Sequence, residues 1–374
     1  MSKKLAFGLM RLPLLDPKDT TSIDHETVKK MVDRFMEAGF THFDTAAPYH
    51  NKASETALRE CVVKRYPREA YTVTDKLSMF SMNSGDEVAP FFEAQLERSG
   101  LEYFDYYWLH CLGKDMVKKA ESFGAFDFIL QKKAEGKIKH VGFSFHDTAD
   151  VLDDILTRHP EMEYVQLQLN YIDWDSDDVQ SRKCYEVCRK HGKPVMVMEP
   201  VKGGLLAAVH PEAEALMKSA APEMSAASWA IRFAASLENV QFVLSGMSTV
   251  EQVEDNVSYM KDFQPLTPAE QDLVKKVTET ILSKASIACT GCRYCVEGCP
   301  QKIAIPDYFR LMNNVSKYGE PMADRAKAGY AELTGKQGMG KASYCVKCGQ
   351  CEGHCPQHLP VTQYLEDVAK AFEE

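Results

Sequence analysis

Four side chains suited to proton transfer stand at the ends of three successive β-rich runs or in the loop after the first of them. Asp44 closes "HFD", Tyr49 follows five residues later in "TAAPYHN", Lys76 lies near the end of "YTVTDKL", and His110 near the end of "DYYWLHC". A tyrosine alone is a poor acid–base catalyst at neutral pH, because its ordinary pKa is about 10. A lysine ammonium beside it favours the phenolate and is expected to lower that value, while Asp44 would pair with the lysine and orient it. His110 would polarise a carbonyl oxygen or relay the proton. Taken singly, a strand-end Asp or Lys is usually just an ion pair. The four together read as a catalytic set.

A second chemistry sits near the C-terminus. Eight of the twelve cysteines fall in two nearly repeated runs, Cys289-x2-Cys292-x2-Cys295-x3-Cys299-Pro300 and Cys345-x2-Cys348-x2-Cys351-x3-Cys355-Pro356. A four-cysteine zinc site normally uses two separated C-x2-C pairs. Three cysteines at steps of three, with a fourth set off by a longer step and a proline, resemble the run of bacterial ferredoxins, whose fourth cysteine ligates the other cluster. That resemblance implies one [4Fe–4S] cluster on Cys289, Cys292, Cys295 and Cys355, and a second on Cys345, Cys348, Cys351 and Cys299. The metal would then supply folding energy that a thin core lacks. Tyr294, Tyr344, Arg293 and Lys347 flank the runs and are expected to pack over the clusters. Cys61, Cys111, Cys184 and Cys188 are scattered and read as small buried apolar residues. Cys184 and Cys188, four apart, share a helix face.

The elements that must position these groups alternate along the chain. Strand candidates are "KLAFGLM", "HFDTA", "YTVTDKL", "DYYWLHC", "HVGFSF", "YVQLQLN", "PVMVMEP" and "VQFVLSG", separated by amphipathic stretches such as "DHETVKKMVDRFMEAG". In that stretch Val28, Met31, Val32 and Phe35 recur at helical spacing, and Gly39 supplies the stop. Eight βα units predict an α/β fold, a (β/α)8 TIM barrel with its active face at the C-terminal ends of the strands. A doubly wound sheet fits less well, since no G-x-G-x-x-G follows an early strand. "PLTPAEQDLVKKVTETILSK" reads as a helix capped by Thr267 with Glu270 three residues on. The expected domains are residues 1–284, the barrel with its C-terminal helix, and 285–374, a small mainly α-helical, ferredoxin-like iron–sulfur domain.

Composition narrows the partners. The 374 residues carry a net charge of −10, with 45% hydrophobic and 26% charged residues. That balance suits a folded enzyme with a sizeable core and disfavours nucleic acid as a partner. No apolar run is long enough for a membrane span, and the basic N-terminal tip lacks a signal-peptide cleavage site. A cytoplasmic location is expected.

The barrel resembles the aldo-keto reductases through "FGLMRLP", "FDTAAPYHN…SE", "DK", "YYWLH", "HVGFS", "VQLQLN" and "SGMSTVEQVEDN", over about the first 265 residues. With the cysteine tail, the chain is similar to the branch of that family with a C-terminal ferredoxin-type domain, found largely in anaerobes. The resemblance implies a nicotinamide cofactor that delivers hydride to a carbonyl carbon, with Tyr49 as proton donor and Asp44, Lys76 and His110 in support. It also implies a carboxamide site at Ser144, Gln166 and Asn170, where Phe145 replaces the family's asparagine, and Met198 where an aromatic ring usually stacks. Lys202 would meet the pyrophosphate. Ser248 lies in the "GMST" turn, whose backbone would hold a phosphate at a helix N-terminus. Asn256 is kept for the adenine, but Gly246 and Gln252 replace the basic residues that grip a 2′-phosphate. NADH, or weak binding of either nucleotide, therefore fits better than a preference for NADPH. His146 and Trp174 are candidates for substrate contact, and His50 reads as a neighbour of Tyr49 without a role.

A nicotinamide yields two electrons as hydride and a [4Fe–4S] cluster passes one; no flavin-binding pattern links them. Three functions follow. The first is an NAD(P)H-linked reductase of aldehydes or ketones, whose clusters serve structure or electron transfer. The second is an iron–sulfur reductase fed by ferredoxin or another one-electron carrier, using the barrel for a small-molecule substrate. The third is a non-catalytic electron-transfer subunit.

Overall fold

Short runs of β-branched and aromatic residues form eight strands, each parallel to the next. They are β1 (Leu5–Gly8), β2 (His42–Asp44), β3 (Thr72–Leu77), β4 (Phe104–Leu112), β5 (Ile138–Phe145), β6 (Tyr164–Gln168), β7 (Val195–Met198) and β8 (Val240–Ser245). β8 pairs with β1, closing the barrel that the sequence predicts. This computed structural model describes residues 3–177, 179–335 and 337–374, without the side chain of Glu297.

The helices of the barrel follow from the apolar spacing. They are α1 (His25–Glu37), α2 (Ala53–Leu58), α3 (Val88–Ser99), α4 (Lys114–Ser122), α5 (Ala125–Ala134), α6 (Ala149–Arg158) and α7 (Ser181–Lys190). Further along come α8 (Pro211–Ala220), α9 (Ala226–Ala235), α10 (Val250–Met260) and α11 (Pro268–Leu282). In α1, Asp24 caps the first turn by accepting from the Thr27 N–H, and the stripe Val28, Met31, Val32 and Phe35 is buried. Phe35 packs against Phe7 of β1 and Phe43 of β2, with ring centroids 5.5 Å apart in each pair. Thr267 and Glu270 form the expected reciprocal cap on α11.

Inside the barrel, register sets the layers. Tyr106, Trp108 and Met196 are buried together, with Tyr164 and Phe242 against them. His42 stacks on Phe242 at 4.3 Å, and its two ring nitrogens meet the Thr72 and Thr74 hydroxyls. Burial lowers its pKa to about 3, so the ring is neutral filling. Gly142 sits where β4, β5 and β6 meet. A Cβ there would lie 2.3 Å from the Tyr164 carbonyl oxygen and 2.7 Å from the Trp108 ring. Gly142→Ala is therefore expected to destabilise the barrel by about 1–3 kcal/mol, seen as a lower denaturant midpoint at unchanged slope.

The chain divides into two compact units, Met1–Gly203 with Ala227–Gln271, and Gly204–Ala226 with Asp272–Glu374. The first contains all eight strands, whereas α8 and most of α11 fall in the second. The second contains α12 (Tyr294–Glu297), α13 (Ile305–Tyr318), α14 (Glu320–Gly335), α15 (Gln350–Gly353) and α16 (Val361–Phe372). Its small core gathers Ile287, Ile303, Tyr308, Phe309, Val361 and Leu365, with cluster-run cysteines packed on its edge.

Candidate active site and cluster-binding cysteines

The ends of β2, β3 and β4 and the turn after β2 bring the four candidate catalytic side chains together. Lys76 is 1% exposed, and its Nζ donates to Asp44 Oδ1 (2.6 Å), the Thr45 carbonyl (2.9 Å) and Tyr49 Oη (3.2 Å). The Tyr49 ring meets the His110 ring edge-on, centroids 6.3 Å apart. Burial works against the Lys76 charge, but Asp44 and Tyr49 outweigh it and raise its pKa. Burial also raises Asp44, against the pull of Lys76. For Tyr49 the sequence-based expectation fails in sign. Burial raises its pKa by more than Lys76 lowers it, so the phenol holds its proton. Burial, then Lys76 and His146, push His110 well below the usual histidine range, leaving it neutral.

The support around these groups comes from residues the sequence did not mark. Behind Lys76, its N–H donates to Asp75 Oδ1 at 2.8 Å, and Gln95 Nε2 of α3 reaches the Lys76 carbonyl at 3.1 Å. Gln95 also reaches Glu55 and Asp75, both wholly buried. Burial and then Glu55 push the Asp75 carboxyl well above its ordinary range. After Tyr49 the chain takes three left-handed residues, His50, Asn51 and Lys52, at φ 49°, 50° and 75°. His50 anchors this strained turn: its Nε2 accepts from the Leu12 N–H at 3.1 Å, and Nδ1 lies 2.8 Å from the Thr20 carbonyl oxygen. It has a structural role that the sequence reading denied it.

The residues carried over for a nucleotide fall into three groups. Ser144 and Gln166 are partners across the β5–β6 ladder. The Ser144 hydroxyl accepts from the Cys111 N–H at 2.7 Å, and Gln166 Nε2 lies 3.4 Å from Asp44 Oδ2. Asn170 and Lys202 converge instead on Asp173: the amide donates at 2.8 Å and the ammonium at 2.6 and 2.7 Å. Gly246, Ser248 and Gln252 gather at the start of α10 beside Arg11, which the sequence reading missed. Ser248 Oγ donates to the Arg11 carbonyl at 2.6 Å, and the Gln252 side chain accepts from the Ser248 N–H at 2.7 Å. A Cβ at Gly246 would lie 3.4 Å from the Arg11 side chain, which pairs with Glu199 at 3.5 Å. Asn256 is buried, and its Oδ1 has no hydrogen-bond partner among the described residues.

A cavity of about 230 Å³ is lined by Phe145, His146, Gln168, Ser181 and Cys184 among others, and by none of the four candidate catalytic side chains. His146 is thus placed on a cavity wall. Trp174 packs on Tyr185 and Phe233 at 5.6 Å from each. Cys61, Cys184 and Cys188 are buried, as free cysteines usually are, while Cys111 is partly exposed.

In the second unit, two hollows divide the eight cysteines. One is lined by Cys289, Cys292, Cys295 and Cys355, the other by Cys299, Cys345, Cys348 and Cys351. Among the described residues no three His, Cys, Asp or Glu side chains are placed to share a single metal ion. A cluster with iron at four corners holds its thiolates further apart than one ion does. The repeat extends to the backbone. Gly291 and Lys347, Arg293 and Gly349, and Lys302 and His358 occupy matching positions, all at φ between 51° and 73°. Left-handed backbone costs a non-glycine residue about 1–2 kcal/mol, so both runs wrap their cysteines through the same tight turns despite that cost. Tyr294 and Tyr344 stand 64% and 54% exposed, and Arg293 and Lys347 pair with Asp307 and Glu366. Of these four flanking residues Arg293 lines the first hollow, and neither tyrosine is among the residues that line the two hollows.

Residues 4–279 match the model described as Aldo/keto reductase family, and residues 288–359 match the 4Fe-4S dicluster domain. The L-galactose dehydrogenase of Arabidopsis thaliana is 27% identical over 263 residues, 63% of this chain and 78% of that protein. An aldo-keto reductase of Mycolicibacterium smegmatis is 32% identical over 114 residues, and that match spans only 30% of this chain and 38% of the relative. A solved aldo-keto reductase from Klebsiella pneumoniae in complex with NADPH shares the fold, with a TM-score of 0.57 at 18% identity over 74% of this chain and 90% of that one. The chain belongs to the aldo/keto reductase family of oxidoreductases and carries, after its barrel, a 4Fe-4S dicluster domain.

Proposed function

We propose that this protein reduces the carbonyl of an aldehyde or ketone to an alcohol with NAD(P)H, Tyr49 donating the proton. The observation that carries this reading is Lys76 Nζ, fully buried and in contact with both Asp44 and Tyr49. The barrel domain would run to about residue 284 and the cluster domain from 285. The chemistry a dinucleotide would supply when bound is the hydride. Ser144, Gln166 and Asn170 would hold its carboxamide, Lys202 its pyrophosphate, and Gly246, Ser248, Gln252 and Asn256 its adenosine end. The orphaned Asn256 Oδ1 supports that fit, since a buried acceptor without a donor costs free energy until one arrives. The chain's own work is then to keep a proton on Tyr49 Oη, balance the charge left there with Lys76, and direct His110 at the substrate oxygen.

The pH dependence follows from the signs above. His110 is already neutral, so carbonyl reduction is expected to show no break near the ordinary histidine pKa of about 6.5. Tyr49 is raised, so the rate falls only at alkaline pH, above tyrosine's usual value of about 10, as the phenol loses its proton. A profile of kcat against pH, measured anaerobically on the intact protein, checks both; a break near 6.5 would contradict the neutral imidazole.

Two [4Fe–4S] clusters would occupy the cysteine-lined hollows, on the crossed ligand sets that the ferredoxin resemblance implies. One observation favours a second reading, a reductase fed by ferredoxin or another carrier. Lys202 is committed to Asp173, and Gly246 and Gln252 offer no cation to a nucleotide phosphate. Adding NADH, NADPH or reduced ferredoxin to the oxidised protein and following the cluster absorbance separates the two. Bleaching by ferredoxin alone, with no nucleotide bound, supports the second. In either case the substrate is a small molecule, and no helix among the described residues is long and apolar enough to cross a membrane.

A further inference from the structure

The β3–β4 ladder pairs Lys76 with Trp108 and Leu77 with Leu109. Carried one step further, that register sets Ser78 beside His110. The Ser78 oxygen lies 2.5 Å from His110 Nδ1, and the two residues are 6% and 7% exposed. Which atom donates follows from counting protons. A neutral imidazole carries one N–H, on one nitrogen or the other. If Nδ1 held it, the Ser78 hydroxyl proton would need another acceptor, and Ser78 makes no other hydrogen bond among the described residues. If Ser78 donates to Nδ1, every proton in the contact is used and Nε2 carries the imidazole N–H.

The remaining surroundings of the ring do not compete for Nδ1. The Tyr49 ring meets it edge-on, and the Phe80 ring lies 5.3 Å away. The Lys76 ammonium opposes its protonation.

We propose that Ser78 is a positioning residue that locks neutral His110 in the Nε2–H tautomer, so that Nε2 can donate to a substrate carbonyl oxygen. This rests on the carbonyl-reductase reading for its purpose, though not for its geometry. The wrong tautomer would present a lone pair to the carbonyl and repel it. Ser78 thus favours the tautomer that can donate.

The test combines spectroscopy with kinetics on the intact cluster-loaded protein. In a sample labelled with 15N-histidine, the His110 signal, assigned by its loss in His110→Gln, should show an unprotonated Nδ1 and a protonated Nε2 from about pH 5.5 to 8. In Ser78→Ala the two tautomers should mix and the Nδ1 shift should move. Carbonyl reduction should fall roughly tenfold in kcat with little change in KM, and Ser78→Thr, which keeps the hydroxyl, should restore both readouts. A wild-type His110 protonated on Nδ1, or a Ser78→Ala spectrum identical to wild type, overturns the proposal. The spectrum needs no turnover. A protein that reduces no carbonyl therefore refutes the proposed function, while Ser78 is still decided by NMR, on the wild type alone should the variant fail to fold.

Discussion

Tyr49→Phe is expected to lower carbonyl reduction by about 10²- to 10⁴-fold, the range typical of a lost general acid, while leaving the barrel folded. The change removes one oxygen and keeps the ring that meets His110. Lys76 keeps Asp44 and the Thr45 carbonyl as partners, so no buried charge is left bare. Nucleotide affinity should hold, because Tyr49 is not among the residues proposed to grip the dinucleotide. The measurement pairs kcat/KM over a panel of aldehydes and ketones with a fluorescence titration of NADH and NADPH. Loss of turnover at unchanged binding assigns the proton to Tyr49. Undiminished turnover would remove Tyr49 from the mechanism and favour a barrel that serves as scaffold.

The second large effect concerns the crossed cysteine sets. Cys355→Ser should deplete the cluster seated by the first run, and Cys299→Ser the cluster seated by the second, each removing about four of roughly eight irons. Combining Cys355→Ser with Cys292→Ser should cost no more iron than either alone, because both line one hollow. Combining it with Cys348→Ser, which lines the other, should empty both. Iron and sulfide counts with low-temperature EPR of the reduced protein read this directly. If Cys355→Ser and Cys348→Ser deplete the same cluster, the ligand sets run along each repeat instead of crossing. Loss of a cluster should also loosen the second unit, whose buried core is small and borders the cysteines.

Much of this was legible locally. Strand periodicity predicts all eight strands to within a few residues at their ends, and the spacing of Val28, Met31, Val32 and Phe35 marks the buried face of α1. These signals are short-range, because a pleat repeats every two residues and a helix every 3.6. The catalytic quartet was legible for a related reason. In a parallel barrel the C-terminal strand ends all open on one face, so residues read at strand ends are brought near one another by the fold itself.

The partners of those residues were not legible. Lys202 reads as a free cation in sequence but is bound by Asp173, twenty-nine positions earlier. His50 reads as idle, yet it pins the β1 loop through Leu12. The sign of the Tyr49 shift depends on how deeply the ring is enclosed, and no motif encodes burial.

By itself, then, the sequence determined the barrel, the two cysteine runs and the four residue types at the strand ends, because periodicity and motif spacing are properties of neighbours along a chain. Only the tertiary structure decided which of those groups are charged, which are already paired, and that Ser78 stands against His110. Those facts depend on inter-strand register and on distance from water, which are set by residues far apart in sequence.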